Sequence, residues 1–149
     1  MEARDTTLID FDLLNPELHK EFRIANGFGV TDVLWSAAKK PRPITEASIE
    51  VMDHLRVIPC GHMSVSTMLF NSAEIAGAVN PLKGKGSDLL FFDTSPMSEG
   101  SDAVLLGEIL DAAIVVVEAR KTTADTLSSL TGQMEALGLS VLGYILNKR

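Results

Sequence analysis

Short apolar runs alternate along this chain with segments whose apolar residues recur at helical spacing. The runs cover residues 6–10, 55–58, 88–93, 112–117 and 139–146. Such runs are typical of buried strands, and strands that alternate with helices indicate an α/β fold built on a parallel sheet. The pattern therefore predicts an α/β domain with a mostly parallel sheet, in which the uniformly apolar run 112–117 is a central strand.

The intervals between the runs carry helix signals. Three predicted helices follow the capping residues Asn15, Thr31 and Thr45. The helix after Thr45 should bury Ile49 and Met52 before the next strand begins. The other predicted helices cover residues 66–79, 101–110 and 123–137.

Composition narrows the class of protein. With 149 residues, 46% of them hydrophobic, the chain is long enough for one core, and we predict a single domain over residues 1–149. A net charge of −7 argues against nucleic acid or anionic lipid as a partner, because both need clustered Lys and Arg. No apolar stretch approaches the roughly 20 residues that span a bilayer, which predicts a cytoplasmic protein without direct membrane insertion. The single cysteine, Cys60, is predicted to be a packed thiol.

Aspartates stand at the carboxyl ends of two apolar runs. Asp10 and Asp12 close the first run, and Asp93 closes the run 88–93. Open α/β sheets bind ligands at the carboxyl ends of their strands, and two acids there can hold one Mg²⁺. The alternative is that these aspartates only cap the turns that follow.

The chain shows departures from a working phosphate site. It has no Gly-x-x-x-x-Gly-Lys-[Ser/Thr] loop, whose backbone N–H groups and lysine would cradle phosphates. The basic glycine segment Lys83-Gly84-Lys85-Gly86 precedes a strand instead of opening a helix, and is predicted to be a solvated loop.

Several segments, in one order along the chain, resemble a known family. Residues 8–19, Leu-Ile-Asp-Phe-Asp-Leu-Leu-Asn-Pro-Glu-Leu-His, are similar to the Asp-x-Asp-x-Arg and Pro-x-x-His motif of bacterial tyrosine kinases that regulate capsular and exopolysaccharide export. These kinases belong to the MinD/ParA-like P-loop ATPases. Further similar segments are Gly29-Val30-Thr31-Asp32-Val33-Leu34, residues 55–61, Phe92-Asp93-Thr94-Ser95-Pro96, Ser101-Asp102-Ala103 and the last strand up to Asn147.

This resemblance implies a three-layer α/β/α, P-loop NTPase-like domain that uses ATP and Mg²⁺. Asp10 and Asp12 would assist Mg²⁺ and the reacting phosphate, Asp12 and Asp93 would hold the metal, Asp93 through water, and Asn147 would contact the adenine edge. The resemblance also implies envelope polysaccharide synthesis, with a membrane polysaccharide co-polymerase or transmembrane activator as partner, a possible homo-oligomer, and a place at the inner membrane through that partner.

Against the family pattern, the sequence predicts a domain that is missing the first strand, phosphate loop and helix. Leu14 stands where the family usually has Arg, and Ser95 replaces the first Pro of the second motif. The only tyrosine, Tyr144, falls inside a predicted strand, so the tyrosine-rich tail of such kinases is not found. These features favour a degenerate or truncated ATP-binding domain that is inactive as an isolated chain, and leave open whether it is an enzyme.

Two alternatives stay open. The first is a non-catalytic interaction module of a polysaccharide co-polymerase. The second is a receiver-like phosphoacceptor domain, in which Asp10, Asp12 and Asp93 would form the metal and phosphoacceptor site. The 83 positions between Asp10 and Asp93 are more than the two βα units expected in a receiver.

Overall fold

The computed structural model describes residues 4–37, 40–62, 70–84, 86–97 and 102–148, with the side chains of 102–104 excepted. These residues form two compact units, Met1–Asp102 and Ala103–Arg149, called unit 1 and unit 2 below. The fold is mixed α/β with mostly parallel strand pairing, as the sequence predicted.

Unit 1 is built on a four-stranded sheet. Its strands are β1 (Thr6–Phe11), β2 (Ile49–Met52), β3 (Leu55–Ile58) and β4 (Leu89–Thr94). The order is β2-β3-β1-β4, with β1 parallel to both β3 and β4 and β2 antiparallel to β3. The carboxyl ends of three parallel strands therefore meet at one edge of this sheet.

Strands and helices of unit 1 together supply its core. The helices are α1 (Leu18–Glu21), α2 (Val30–Ser36) and α3 (Ser72–Val79), with 3₁₀ turns at Ile44–Ala47 and Asn80–Leu82. The α3 helix begins with a capping box, in which Asn71 accepts from the Glu74 N–H and Glu74 accepts from the Asn71 N–H. Side chains that are at most 1% exposed include Ile9, Phe11, Val30, Ile44, Val57, Ile58 and Ile75.

Unit 2 contains most of α4 (Asp102–Gly107), then β5 (Ala113–Glu118), α5 (Ala124–Ala136) and β6 (Val141–Asn147). The β5 and β6 strands pair in parallel. The Thr123 side chain caps α5 by accepting from the Thr126 N–H, and Gly138, with φ of +73°, follows its end. The predicted helix 123–137 is confirmed.

The prediction of a central strand at 112–117 is wrong for the described part of unit 2. There β5 has β6 as its partner in a two-stranded sheet, and Ile114 and Val116 are 47% and 63% exposed. Uniform apolarity predicted burial on both faces, but only Val115 and Val117 are buried.

The helix predicted after Thr45 is also wrong. The chain makes one 3₁₀ turn there and then a β2–β3 hairpin, which leaves Met52 57% exposed. The turn depends on His54, whose φ of +62° is uncommon for a residue with a side chain. The β-branched Ile49 favours the strand, and the apolar spacing that indicated a helix fits two short strands equally well.

Two predicted caps act differently. Neither Asn15 nor Thr31 caps a helix; α1 begins after Glu17 and α2 after Gly29. The Thr31 hydroxyl donates instead to the Cys60 carbonyl at 2.9 Å. Of the predicted helix 66–79, residues 66–69 lie outside the described residues, and so does Ser101.

No helix in the described ranges is both long and apolar enough to cross a bilayer.

Candidate functional site

Asp10 and Asp93 lie side by side at the carboxyl edge of the unit 1 sheet. They are register partners of the parallel strands β1 and β4, which pair continuously from Thr6–Leu89 to Phe11–Thr94. The two strands carry near-continuous apolar runs up to these acids, which aligns the runs and brings the carboxylates together. The expected convergence of the two aspartates is therefore present in unit 1.

The Asp10 side chain is fully buried, at 0% exposure. Its Oδ2 accepts from the Leu18 N–H at 3.2 Å, at the start of α1, whereas its Oδ1 has no hydrogen-bond partner. Burial raises the pKa of Asp10 from 3.8 to about 6; the backbone N–H groups of Leu18 and Asp12 lower it in part, and the negative charges of Asp93 and Asp12 raise it. Because a buried oxygen without a partner is costly, Asp10 is suited to a cation or a proton at Oδ1.

Asp12 has a structural role in the turn that follows β1. Its Oδ1 accepts from the N–H groups of Leu14 and Asn15, at 3.2 and 2.9 Å. This is the turn-capping alternative that the sequence left open. The charge of Asp12 also raises the pKa values of Asp10 and Asp93, so the three carboxylates interact electrostatically.

Asp93 remains accessible at the surface. Partial loss of hydration raises its pKa, and the charge of Asp12 raises it further. Two neighbouring acids with raised pKa values at one strand edge repel each other, and a divalent cation would remove that repulsion.

Carboxylate oxygens such as those of Asp10 and Asp93 are the type of protein ligand that Mg²⁺ takes. Among the described residues, no three His, Cys, Asp or Glu side chains are placed to hold a metal by themselves. Mg²⁺ is usually held by one or two carboxylates, with water and phosphate oxygens at its other positions. Asp10 Oδ1 and the accessible Asp93 carboxylate are the groups that would hold it.

Asn147 lies in unit 2, at the end of β6, in register with Glu118. Its backbone carbonyl accepts from the Ala119 N–H at 2.7 Å. The contact of its side chain with adenine stays a prediction.

A second polar network lies at the carboxyl end of β3, and the sequence did not predict it. The Asp32 side chain, 9% exposed, accepts through Oδ2 from the N–H groups of Gly29 and His62, at 3.0 and 3.3 Å. Asn26 makes two hydrogen bonds with Gly61, donating to its carbonyl and accepting from its N–H, each at 2.9 Å. These hydrogen bonds connect two loops and α2 at the carboxyl end of β3.

The glycines of this network leave no space for side chains. A Cβ on Gly29 would lie 2.2 Å from the Pro59 carbonyl oxygen, and one on Gly61 would lie 2.3 Å from Asp32 Oδ2. The pattern Gly29-x-x-Asp32 followed by the isolated Gly61 is the sequence signal that could have indicated this close approach.

Two further predictions concern Cys60 and Tyr144. Cys60 is buried, at 3% exposure, as a packed thiol should be. Tyr144 is within a strand, as predicted, and its hydroxyl is 2.8 Å from Thr131 Oγ1 on α5.

Similarity to known proteins supports the motif resemblance. No protein-family model matches the chain. The chain is 26% identical over 146 residues to the tyrosine-protein kinase YwqD of Bacillus subtilis strain 168, and 28% identical over 145 residues to the tyrosine-protein kinase CpsD of Streptococcus agalactiae serotype III. These alignments cover 98% and 96% of this chain but only 60% and 61% of the relatives' length.

Solved structures share the fold. The kinase domain of VpsO has a TM-score of 0.85 at 24% identity, with 98% of this chain and 71% of that chain covered. The chimerical protein CapA2B2 has 0.85 at 22% identity, with coverages of 99% and 64%. MinD of Pyrococcus horikoshii OT3, complexed with Mg-ADP, has 0.74 at 21% identity, with coverages of 97% and 58%. The chain is thus a homologue of the bacterial tyrosine-protein kinases, with the fold of the MinD/ParA-like P-loop proteins.

Proposed function

We propose that this chain is an ATP-binding domain, related to the tyrosine autokinases of bacterial capsular and exopolysaccharide synthesis, that binds Mg²⁺-nucleotide at Asp10, Asp12 and Asp93. The observation that supports it most is the Asp10–Asp93 pair, with a buried Oδ1 that lacks a partner. Asn147 would contact the adenine edge, and the domain would act in the cytoplasm beside a membrane co-polymerase. Bound Mg²⁺ would supply charge neutralisation at the phosphates.

Phosphate handling is proposed to be degenerate in this chain. The sequence carries no phosphate loop, and Leu14 and Ser95 replace the Arg and Pro of the family motifs. The residues of this chain would then hold the metal through Asp10 and Asp93, while Asp12 keeps the loop after β1 in place through its bonds to Leu14 and Asn15.

Calorimetric titration with Mg²⁺-ATP tests the proposal, on this chain and on one extended upstream in its reading frame. Binding that requires Mg²⁺ and weakens about tenfold in Asp93→Asn is expected, since loss of a metal-site partner usually costs at least that factor. Asp111→Asn, which changes an exposed aspartate of unit 2, is the matched control and should bind as the parent does.

The outcomes separate the alternatives. Binding by the extended chain alone would mean that the acids need a phosphate loop from elsewhere in the protein. Failure of both chains would overturn the nucleotide proposal. Labelling of Asp93 by acetyl phosphate would favour the receiver interpretation instead.

A non-catalytic interaction module is the second candidate. The observation that favours it is an apolar groove of about 720 Å³ in unit 1, whose lining includes Leu34, Trp35, Ile44, Ala78 and Pro81. Trp35 is 47% exposed there, and exposed apolar surface of this kind is typical of contacts with other proteins. Co-purification with a polysaccharide co-polymerase, lost in Trp35→Ala but kept in Asp93→Asn, would support this candidate over nucleotide binding.

A further inference from the structure

His62 presents an imidazole ring at the carboxyl end of β3. Its side chain is 66% exposed, whereas the neighbouring Asp32 side chain is only 9% exposed. His62 Nδ1 lies 3.2 Å from the Gly27 carbonyl oxygen and 3.2 Å from Asp32 Oδ1. One ring nitrogen therefore faces two acceptors, and the ring itself stands in water.

These contacts fix the position of the ring proton. A backbone carbonyl only accepts, so the nitrogen beside Gly27 must carry the hydrogen. In the neutral ring the lone pair is then on Nε2. An accessible nitrogen with a free lone pair is the nucleophilic and basic atom of an imidazole.

Asp32 is held so that it cannot turn away from the ring. Its Oδ2 accepts from the N–H groups of Gly29 and His62. Gly61, which precedes His62, makes two hydrogen bonds with the Asn26 side chain, and these hold the backbone at His62 in place. A positive charge that forms on the ring would meet a buried carboxylate at 3.2 Å. Such a fixed dipole and charge stabilises an imidazolium without reorganisation.

We propose that His62 is a phosphoryl-acceptor residue, whose Nε2 takes a phosphoryl group from a small donor of the phosphoramidate class. The Nε2 lone pair attacks phosphorus, the P–N bond of the donor breaks, and its electron pair leaves with ammonia. The donor reacts with its nitrogen protonated, as –NH₃⁺, so ammonia leaves without a further proton. The new N–P bond makes the ring an imidazolium that keeps its Nδ1 proton. Asp32 and the Gly27 carbonyl stabilise that ring, so no proton has to leave during the step.

The side chains around His62 fit phosphoryl acceptance better than metal binding. A metal site needs further ligands, and the described residues contain no cluster of three ligand side chains. Attack on phosphorus needs one imidazole alone. The inference goes beyond the proposed nucleotide function and does not depend on it, because neither Asp10 nor Asp93 takes part.

His54 gives an internal comparison. Its Nδ1 also meets a carboxylate, Asp5 Oδ1 at 2.8 Å, but that acid is 52% exposed and lies at the opposite end of the strands. A carboxylate that stands in water is screened and stabilises an imidazolium less than the buried Asp32 does. His54 should therefore accept a phosphoryl group more slowly than His62.

The test is incubation of the intact chain with potassium phosphoramidate at neutral pH. Phosphohistidine is mapped by mass spectrometry under alkaline conditions, and ³¹P NMR distinguishes the Nε2 from the Nδ1 isomer. We expect His62 to be labelled at Nε2 about tenfold faster than His54, because its carboxylate partner is buried and that of His54 is exposed. His62→Gln should remove this signal and His54→Gln should leave it unchanged.

Asp32→Asn tests the positioning role. It should slow labelling of His62 about tenfold and raise the share of the Nδ1 isomer, which a purely structural role would not change. If this variant does not fold, the ratio of His62 to His54 labelling in the unchanged chain still decides. Equal or faster labelling of His54, or labelling only of carboxylates, would overturn the proposal. Asp93→Asn should keep the His62 signal even where nucleotide binding fails, which separates the two proposals.

Discussion

The two ends of the unit 1 sheet carry similar side chains in opposite environments. At the carboxyl end, Asp10 is fully buried and Asp32 is 9% exposed, and backbone N–H groups hold both. At the amino end, Asp5 pairs with His54 and Glu50 pairs with Arg56, and all four side chains are about half exposed. Sequence composition alone does not distinguish the two ends.

The difference shows that burial of carboxylates lowers stability at the carboxyl end of the sheet and not at the amino end. Exposed ion pairs contribute little to stability and require little from the fold. A buried carboxylate with an oxygen that lacks a partner destabilises the protein unless something else binds it. A buried acid with a raised pKa at a strand end, here Asp10, is therefore a better candidate for function than the exposed pairs. Four substitutions can break or sharpen this contrast.

The largest effect is expected from Gly29→Ala. The new Cβ would lie 2.2 Å from the Pro59 carbonyl oxygen and 2.4 Å from the Gly61 nitrogen, and both are backbone atoms that cannot rotate away. We expect the free energy of unfolding to fall by about 3 kcal/mol or more. Urea denaturation followed by the fluorescence of Trp35, the only tryptophan, measures it.

Gly77→Ala is the matched control. A Cβ on Gly77 meets no atom within 4 Å, and the residue lies inside α3. Replacement of glycine inside a helix should stabilise by about 0.5–1 kcal/mol. Equal urea midpoints for the two variants would show that the carboxyl end is not tightly packed.

Asn26→Ala should have the second largest effect. It removes both hydrogen bonds to Gly61 and leaves a buried N–H and carbonyl without partners, which costs about 2–3 kcal/mol. Asn71→Ala removes a cap at the exposed start of α3 and should cost only about 1 kcal/mol. If both variants lost the same stability in urea, burial of the Asn26 bonds would not matter.

Local sequence signals predicted most of the fold. The apolar runs located β1, β3 and β4, and the helical spacing of apolar residues over 123–137 located α5, because these elements depend on their own residues. The β2–β3 hairpin was missed, since it depends on the positive φ of His54. Exposure of Ile114 and Val116 could not be predicted either, because it depends on what covers each face of the strand and not on residue type.

For the candidate site too, some features could be predicted from the sequence and others could not. Asp10 and Asp93 could be predicted as neighbours, because parallel strands that end in acids align those ends. The turn-capping role of Asp12 was one of two interpretations that the sequence left open, whereas the Asp32–His62 contact depends on loops whose paths are set by tertiary packing. Only the glycines at 29 and 61 gave a hint of that close approach.

Asp10→Asn should change how the free energy of unfolding depends on pH more than it changes the free energy of unfolding at any one pH. The pKa of Asp10 is raised from 3.8 to about 6 in the folded chain, so folding binds a proton between these values. Stability should therefore fall as pH rises from about 4 to 6 and stay lower above it, by about 1–3 kcal/mol. Urea midpoints across this pH range should show the decrease in the parent and a flatter profile in Asp10→Asn. Asp111→Asn should show the same pH dependence of the urea midpoint as the parent. If Asp10→Asn also kept the parent's pH dependence, Asp10 would not be the group that titrates.

The smallest effect is expected at the amino end, from His54→Asn, since asparagine tolerates the positive φ of this turn residue. The hydrogen bond to Asp5 raises the pKa of His54 above 6.5, so the contribution of this pair is present below pH 6.5 and disappears as pH rises through the raised pKa. Because the ring is exposed to solvent, the urea midpoint should stay within error of the parent at neutral pH. NMR titration should show the pKa of His54 moving towards 6.5 in Asp5→Asn. A loss of stability as large as that of Asn26→Ala would mean that the amino end is as tightly organised as the carboxyl end, and burial would no longer explain why the acids of the two ends differ.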